Sequence, residues 1–191
     1  MTALVLIVSY LLGSIPNGLI FGRLIWKKDL RRYGSGNLGA TNAWRVLGKP
    51  AGLLIFALDF MKGVLSVMLA QIFAGTPTVM VLAGLLAILG HACSIFLKFK
   101  GGRGVATGLG VIAFMMPAVT SIVFLVWLAI VLATRYVSLG SIVAAVLVPI
   151  LALVFGYELA FVIFGVAAAA FITFRHKENI VRLLNGRENK I

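Results

Sequence analysis

Six long apolar runs constrain this chain more than any other feature. They cover about residues 2–24, 51–72, 78–97, 104–134, 138–155 and 158–174. At ~1.5 Å per residue, a helix of such length spans or nearly spans the ~30 Å hydrocarbon core of a bilayer. Nothing there can hydrogen-bond an open backbone, so such runs must close their N–H and C=O groups internally, as helices. The chain is 62% hydrophobic and only 12% charged, about half the charged share of soluble domains. The expected fold class is an all-α integral membrane protein, with residues 1–191 forming one membrane-embedded domain.

The fourth run is too long for one crossing. Pro117 falls near its middle, where a ring in place of an N–H breaks a helix, so two short tilted spans, 104–116 and 118–134, fit better. Charge placement supports the same division. If residues 27–50 face the cytoplasm, then Lys98, Lys100 and Arg103 do so two crossings later. Counting 104–134 as two spans also puts Arg135 and the basic tail 175–191 inside, as the positive-inside rule favours. The opposite turns, near 73–77, 116–117 and 155–158, hold no Lys or Arg. The consistent expectation is seven spans, with the N-terminus outside and the C-terminus cytoplasmic. The first run lacks a basic n-region and continues to about Leu24, so it reads as a retained span rather than a cleaved signal.

Lys and Arg number 17 against 5 Asp and Glu, a net charge of +12. Topology accounts for most of that excess, and no aromatic residues interleave the basic ones as base-stacking surfaces require, so nucleic acid is not an expected partner. Cys93 is the only cysteine, which excludes an intrachain disulfide and a thiolate zinc cluster. The scarcity of acids argues against paired-carboxylate hydrolysis and against an acidic metal site. No metal or cofactor is expected.

Three polar segments interrupt the apolar chain. Residues 34–48 read GSGNLGATNAWRVLG, beside Arg23, Lys27, Lys28, Arg31 and Arg32. Small residues let successive backbone N–H groups converge on one anion. Ser35, Asn37, Thr41 and Asn42 add side-chain donors, and Arg45 can fork onto a phosphate. Residues 90–107 read GHACSIFLKFKGGRGVAT. Here Gly101, Gly102 and Arg103 precede a helix start and Thr107 lies on its first turns, an anion-binding arrangement without Walker spacing. The tail 175–188, RHKENIVRLLNGRE, places Ile180, Leu183 and Leu184 at helical spacing, a short amphipathic segment suited to the interface. His176 and Asn179 share one of its faces. Ser138 and Ser141 open the sixth span from the same side. A convergent set of Arg, Lys, His, Ser, Thr and Asn with almost no carboxylate suits a doubly anionic ligand. Within the spans, Asp59 and Lys62 stand three residues apart on one helical face and read first as a structural ion pair. Ser14 and Asn17 flank Pro16, where hydrogen bonds across helices at a kink account for them.

On these three segments, in this order, the chain resembles the bacterial acyl-phosphate:glycerol-3-phosphate acyltransferases, the membrane family usually called PlsY. The resemblance covers essentially the full length. The family's second motif usually ends Gly-Gly-Lys-Gly, whereas this chain carries Arg103, which keeps the positive charge but changes its geometry. The resemblance implies seven membrane helices in the bacterial inner membrane, with the active site on its cytoplasmic face. It also implies transfer of a fatty acyl group from acyl phosphate to the sn-1 hydroxyl of glycerol 3-phosphate, giving lysophosphatidate and inorganic phosphate. The partners are then those two substrates and membrane lipid. Carried over position by position, it puts Ser35, Arg45, Arg103 and Ser141 around phosphate, with Gly101, Gly102 and Thr107 in the second binding segment. Asn37, Thr41 and Asn42 shape the first loop and polarise the acyl carbonyl, His176 and Asn179 orient glycerol 3-phosphate, and Glu188 braces the tail.

An acyl phosphate is a mixed anhydride with a good leaving group, so positioning matters more than nucleophile activation. Either His176 or a substrate phosphate, with a second pKa near ~6, could accept the hydroxyl proton. The balance tips towards the substrate, because no acid stands at a fixed spacing to orient the imidazole. A transporter of organic phosphates is the competing class, but the chain shows no two-fold repeat and few polar residues within its spans.

Overall fold

The computed structural model describes residues 1–191 and contains helices and turns, with no strand. The helices are α1 (Thr2–Ser14), α2 (Asn17–Leu24), α3 (Ala40–Leu47), α4 (Lys49–Phe73), α5 (Pro77–Ala92), α6 (Val105–Met115), α7 (Pro117–Thr134), α8 (Val137–Val154), α9 (Leu159–Arg175) and α10 (Lys177–Leu184). Four segments, Lys49–Phe73, Pro77–Leu97, Pro117–Thr134 and Val137–Val154, are individually long and apolar enough to cross a membrane. Two bent pairs, α1 with α2 and α9 with α10, raise that number to 6, and α6 is a shorter apolar helix. Large apolar side chains such as Leu125, Leu132 and Val166 face outward, the pattern of helices whose solvent is lipid.

The chain forms two compact units, Met1–Val111 and Ile112–Ile191, with the boundary inside α6. In the first unit α1 packs along α5, and α4 packs against both. Glycines make this possible. A Cβ at Gly13 would strike the Ala87 backbone, and one at Gly90 would strike the Tyr10 carbonyl. Between α4 and α6 the arrangement is reciprocal: Gly63 lies on the Thr107 carbonyl and Gly110 on that of Phe60. Without a hydrophobic driving force between helices in lipid, such close backbone approach supplies the packing energy.

The first apolar run is not one helix. It breaks at Ile15–Pro16, and α1 and α2 bend by 43°, because Pro16 brings no N–H and its ring obstructs the preceding turn. The fourth run likewise divides, α6 ending at Met115 and Pro117 taking the first position of α7.

The glycine-rich segment 34–48 is less of a loop than its composition suggests. Only its first part is irregular, and Ala40–Leu47 is helical. Its face carrying Ala40, Ala43, Val46 and Leu47 packs with Leu30, Leu38 and Ile55, and this burial overrides the weak intrinsic propensity of so short a helix. Gly48, at φ +95°, ends it, a conformation natural only to glycine.

In the second unit α8 lies between α7 and α9, and α10 rests on α8 and α9. Pro149 sits inside α8, and Gly165 of α9 packs directly on it, so the neighbouring helix covers the interrupted turn. The chain bends by 62° between α9 and α10. The terminus returns to the α7–α8 turn, where the Ile191 N–H donates to the Arg135 carbonyl at 3.0 Å and Lys190 lies over the Tyr136 ring.

Candidate active site

The first polar segment is built around Asn42. Its side-chain amide donates to the carbonyls of Leu30 (3.2 Å), Tyr33 (3.1 Å) and Asn37 (2.8 Å), while its Oδ1 accepts from the Ser35 N–H at 2.9 Å. One buried side chain thus gathers residues 30–37 into a fixed curl. Gly34, at φ +60°, is required there, since a Cβ would overlap Asn42 Oδ1. Asn37 Oδ1 accepts from the Gly39 N–H at 2.8 Å, fixing the entry to α3. Ser35 is left exposed, and Thr41 and Arg45 are half-buried, four apart on α3 and so on one face. Just upstream, Asp29 caps the turn Leu30–Arg32 and pairs with Arg31 (2.6 Å) and Arg23 (2.7 Å). Hydrogen bonds from the Arg31 side chain hold its carboxyl well below the usual carboxylate range.

The second segment folds back over the end of α5. The Gly102 N–H donates to the His91 carbonyl at 3.0 Å. Gly101 lies on the backbone of His91 and Ala92, and Gly102 lies against the His91 ring. Gly104, at φ +83°, turns the chain into α6, leaving Arg103 half-buried at the helix entrance. Thr107, fully buried, places its Oγ1 3.2 Å from His91 Nδ1.

One shallow cleft, about 240 Å³ when its solvent-open mouth is counted, is lined by Leu38 of the first segment and by Gly101 and Gly102 of the second, with Gly18 and Leu97. Its floor is a buried polar network that compositional reading alone did not assemble. Lys62 Nζ lies 3.0 Å from Asp59 Oδ1 and donates to the Gly13 and Ile15 carbonyls at 3.0 Å each. These are carbonyls released where the first span breaks. Asn17 Nδ2 donates to Asp59 Oδ1 at 3.0 Å, and His91 Nδ1 lies 3.2 Å from Lys62 Nζ. Ser94 Oγ donates to the Ser14 carbonyl, and the Tyr10 hydroxyl donates to the Cys93 carbonyl at 2.9 Å. The sequence signal for this network was the intramembrane pair Asp59 and Lys62; its partner His91 is 29 residues away on another helix.

In the second unit Glu188 is the organising group. Its Oε1 accepts from Asn179 Nδ2 (2.7 Å) and Ser138 Oγ (3.0 Å), and its Oε2 from Arg182 Nε (2.8 Å). Burial pushes this carboxyl up, but hydrogen bonds from Arg182, Asn179 and Ser138 outweigh it, so the group titrates below the ordinary value of 4.5. Asn179 is buried, and its Oδ1 has no protein partner. His176, buried where α9 meets α10, sets its Nδ1 2.7 Å from the Ile172 carbonyl. A carbonyl only accepts, so Nδ1 carries the hydrogen, and a backbone group rather than an acid orients the ring. Ser141 is buried and donates to the Val137 carbonyl at 2.8 Å, one turn back along α8. Of the residues singled out from the sequence, Ser35, Asn37, Thr41, Asn42 and Arg45 therefore assemble in one place. Gly101 and Gly102 line the cleft, with Arg103 and Thr107 following on the same segment, and Ser141, His176, Asn179 and Glu188 belong to the second unit.

Apolar helices long enough to cross a bilayer, interrupted by glycine-rich polar segments and an excess of cationic side chains, define a polytopic membrane protein with donors suited to an anionic ligand. Comparison with known proteins makes this specific. The glycerol-3-phosphate acyltransferase family model matches residues 3–186. The glycerol-3-phosphate acyltransferase of Syntrophomonas wolfei is 47% identical over 189 residues, covering 99% of this chain and 96% of that protein. Glycerol-3-phosphate acyltransferase 2 of Moorella thermoacetica is 49% identical over 191 residues, covering 100% and 98%. The crystal structure of PlsY, an integral membrane glycerol 3-phosphate acyltransferase, in its glycerol 3-phosphate form superposes with a TM-score of 0.95 at 44% identity, covering 100% of this chain and 95% of that one. Its lysophosphatidic acid form gives 0.92 at 43% identity, with the same coverage. The chain belongs to the glycerol-3-phosphate acyltransferase family.

Proposed function

We propose that this enzyme is an integral membrane protein that transfers a fatty acyl group from acyl phosphate to the sn-1 hydroxyl of glycerol 3-phosphate, releasing lysophosphatidate and inorganic phosphate. This is the first acyl transfer of phospholipid synthesis. The observation that carries it is the full-length match to a glycerol 3-phosphate acyltransferase whose solved structures are a glycerol 3-phosphate form and a lysophosphatidic acid form. The acyl-phosphate donor is argued from chemistry. No side chain in the cationic set is a strong nucleophile, and a mixed anhydride needs none.

The reaction requires two phosphorylated molecules to approach each other in spite of their charges. Arg45 and Arg103 offset that repulsion, each on a segment whose backbone is fixed from within, by the Ser35 N–H on Asn42 Oδ1 and the Gly102 N–H on the His91 carbonyl. Ser141 adds a hydroxyl contact to phosphate, and Thr107 supports the second segment. Asn37, Thr41 and Asn42 set the first loop's shape so that its donors face the acyl carbonyl as charge develops on it. His176 and Asn179 orient glycerol 3-phosphate, with the unpartnered Asn179 Oδ1 suited to a substrate hydroxyl donor. Glu188 braces this arrangement. Holding both reactants in line supplies up to ~7–11 kcal/mol in favourable cases. A substrate phosphate accepts the hydroxyl proton as the ester forms and phosphate leaves. The chain crosses the bacterial inner membrane seven times, the short α6 being a separate crossing, with the active site on the cytoplasmic face.

The deciding experiment uses purified protein in detergent micelles with glycerol 3-phosphate and, separately, acyl phosphate, acyl-CoA or acyl-carrier protein. Phosphate release matched by lysophosphatidate formation with acyl phosphate alone is the expected result. Turnover with either thioester and none with acyl phosphate would overturn the donor assignment.

A further inference from the structure

We infer that His91, held by the Lys62–Asp59 pair, is a positioning residue that fixes the Gly101–Gly102–Arg103 segment for anion binding. The inference deepens the proposed function and rests on that segment contacting a substrate phosphate. Three observations carry it. The segment is seated on His91 twice, through the 3.0 Å hydrogen bond from the Gly102 N–H to the His91 carbonyl and through Gly102 lying against the imidazole. The ring's other side is anchored, with Nδ1 3.2 Å from both Lys62 Nζ and Thr107 Oγ1. Lys62 is itself tied to the broken first span through the Gly13 and Ile15 carbonyls and to Asp59.

An ammonium facing Nδ1 makes that nitrogen the acceptor and places the ring hydrogen on Nε2, the nitrogen against Gly102. A buried ion pair contributes little to stability by itself and is better suited to specifying a geometry. Here the geometry it specifies is the ring angle on which the glycine segment rests. Rotation of that ring would move the backbone amides that precede α6, and a displacement of about 1 Å at a substrate-positioning group costs up to ~100-fold.

The test compares His91→Phe, His91→Asn and Lys62→Met in the full-length enzyme. His91→Phe keeps a flat ring beneath Gly102 and leaves the ammonium three acceptors, Asp59 and the Gly13 and Ile15 carbonyls, so the fold retains its connections. It should raise KM for at least one phosphorylated substrate by roughly 10- to 100-fold, far more than it lowers kcat. His91→Asn, whose amide oxygen can occupy the Nδ1 position, should recover most of that loss. Lys62→Met should reproduce the His91→Phe effect, and the double variant should add little to either. Calorimetric binding of glycerol 3-phosphate, which needs no acyl donor, reads the same positioning if the acyl-phosphate assignment fails. Unchanged KM and binding in folded His91→Phe, or an Asn variant no better than Phe, would overturn the inference.

Discussion

Glu188 shows how one carboxylate sets both stability and its pH range. Three side chains donate to it: Ser138, Asn179 and Arg182. Its folded-state pKa lies below the ordinary 4.5, so its contribution is fully present above that value and is lost as pH falls through the lowered folded value. Glu188→Gln should destabilise the second unit by about 1–3 kcal/mol, the range for losing charge-assisted hydrogen bonds to a buried group. Thermal unfolding of wild type and variant from pH 7 to pH 3 checks this: the gap between them should be full at pH 7 and narrow as pH falls below 4.5. At His176, the Ile172 carbonyl supplies the orientation that an acid would otherwise provide. In the proposed mechanism, however, the proton goes to a substrate phosphate and not to the imidazole. His176→Gln should therefore lower kcat by less than ~100-fold, short of what loss of a general base exacts, and leave the pH dependence of kcat in place. A larger loss with a flattened pH profile would make the imidazole the base. Side chains such as Ser35, Arg45 and Arg103 stood out in the sequence because a polar residue in so apolar a chain needs a reason. The inward use of the Asn42 amide was not legible, because its acceptors are carbonyls that exist as a cluster only once residues 30–37 curl.

At the scale of elements, glycine decides which helices can meet. Gly90 of α5 touches the α1 backbone at Tyr10 and Ser14, so Gly90→Ala must push the two helices apart. Overpacking of this kind costs about 1–3 kcal/mol and here also stretches the hydrogen bonds from Ser94 to Ser14 and from Tyr10 to Cys93. A lower midpoint of thermal unfolding in the purified variant measures the effect of the packed contact. Helix boundaries were legible at the charge clusters and at Pro16 and Pro117, but not from proline alone, since Pro149 lies inside α8 where Gly165 of α9 covers it. Pro16 and Pro117 act through a missing N–H, a property of the residue itself, and both breaks fall where that chemistry puts them. The helix Ala40–Leu47 was not legible, since eight residues of mixed polarity become helical only against Leu30, Leu38 and Ile55. For the same reason the Asp59–Lys62–His91 network was visible only in its local half, an i,i+3 pair on α4, and not in the partner that α5 brings to it.

Over the whole molecule the governing quantity is the placement of positive charge. Of the 17 basic residues only Lys62 lies deep within a span, where Asp59 and two carbonyls hold it. The others cluster at helix ends, in segments 23–49, 98–103, 135 and 175–190. A cationic face attracts phosphorylated substrates and anionic lipid alike, and screening by salt weakens that attraction over a Debye length of about 8 Å at physiological ionic strength. Raising ionic strength should therefore increase KM for glycerol 3-phosphate with little change in kcat, a trend that steady-state kinetics in micelles resolves directly. The central proposal is that segments 34–48, 98–103 and 175–188 each face the cytoplasm, as the positive-inside rule favours. Its most direct test is labelling with a membrane-impermeant maleimide in intact cells. The chain would have Cys93 replaced by alanine and a single new cysteine at Gly36, Lys98 or Asn189 in turn. All three positions should resist labelling until the membrane is opened and then react together. Labelling of Asn189→Cys in intact cells, with the other two protected, would contradict the account.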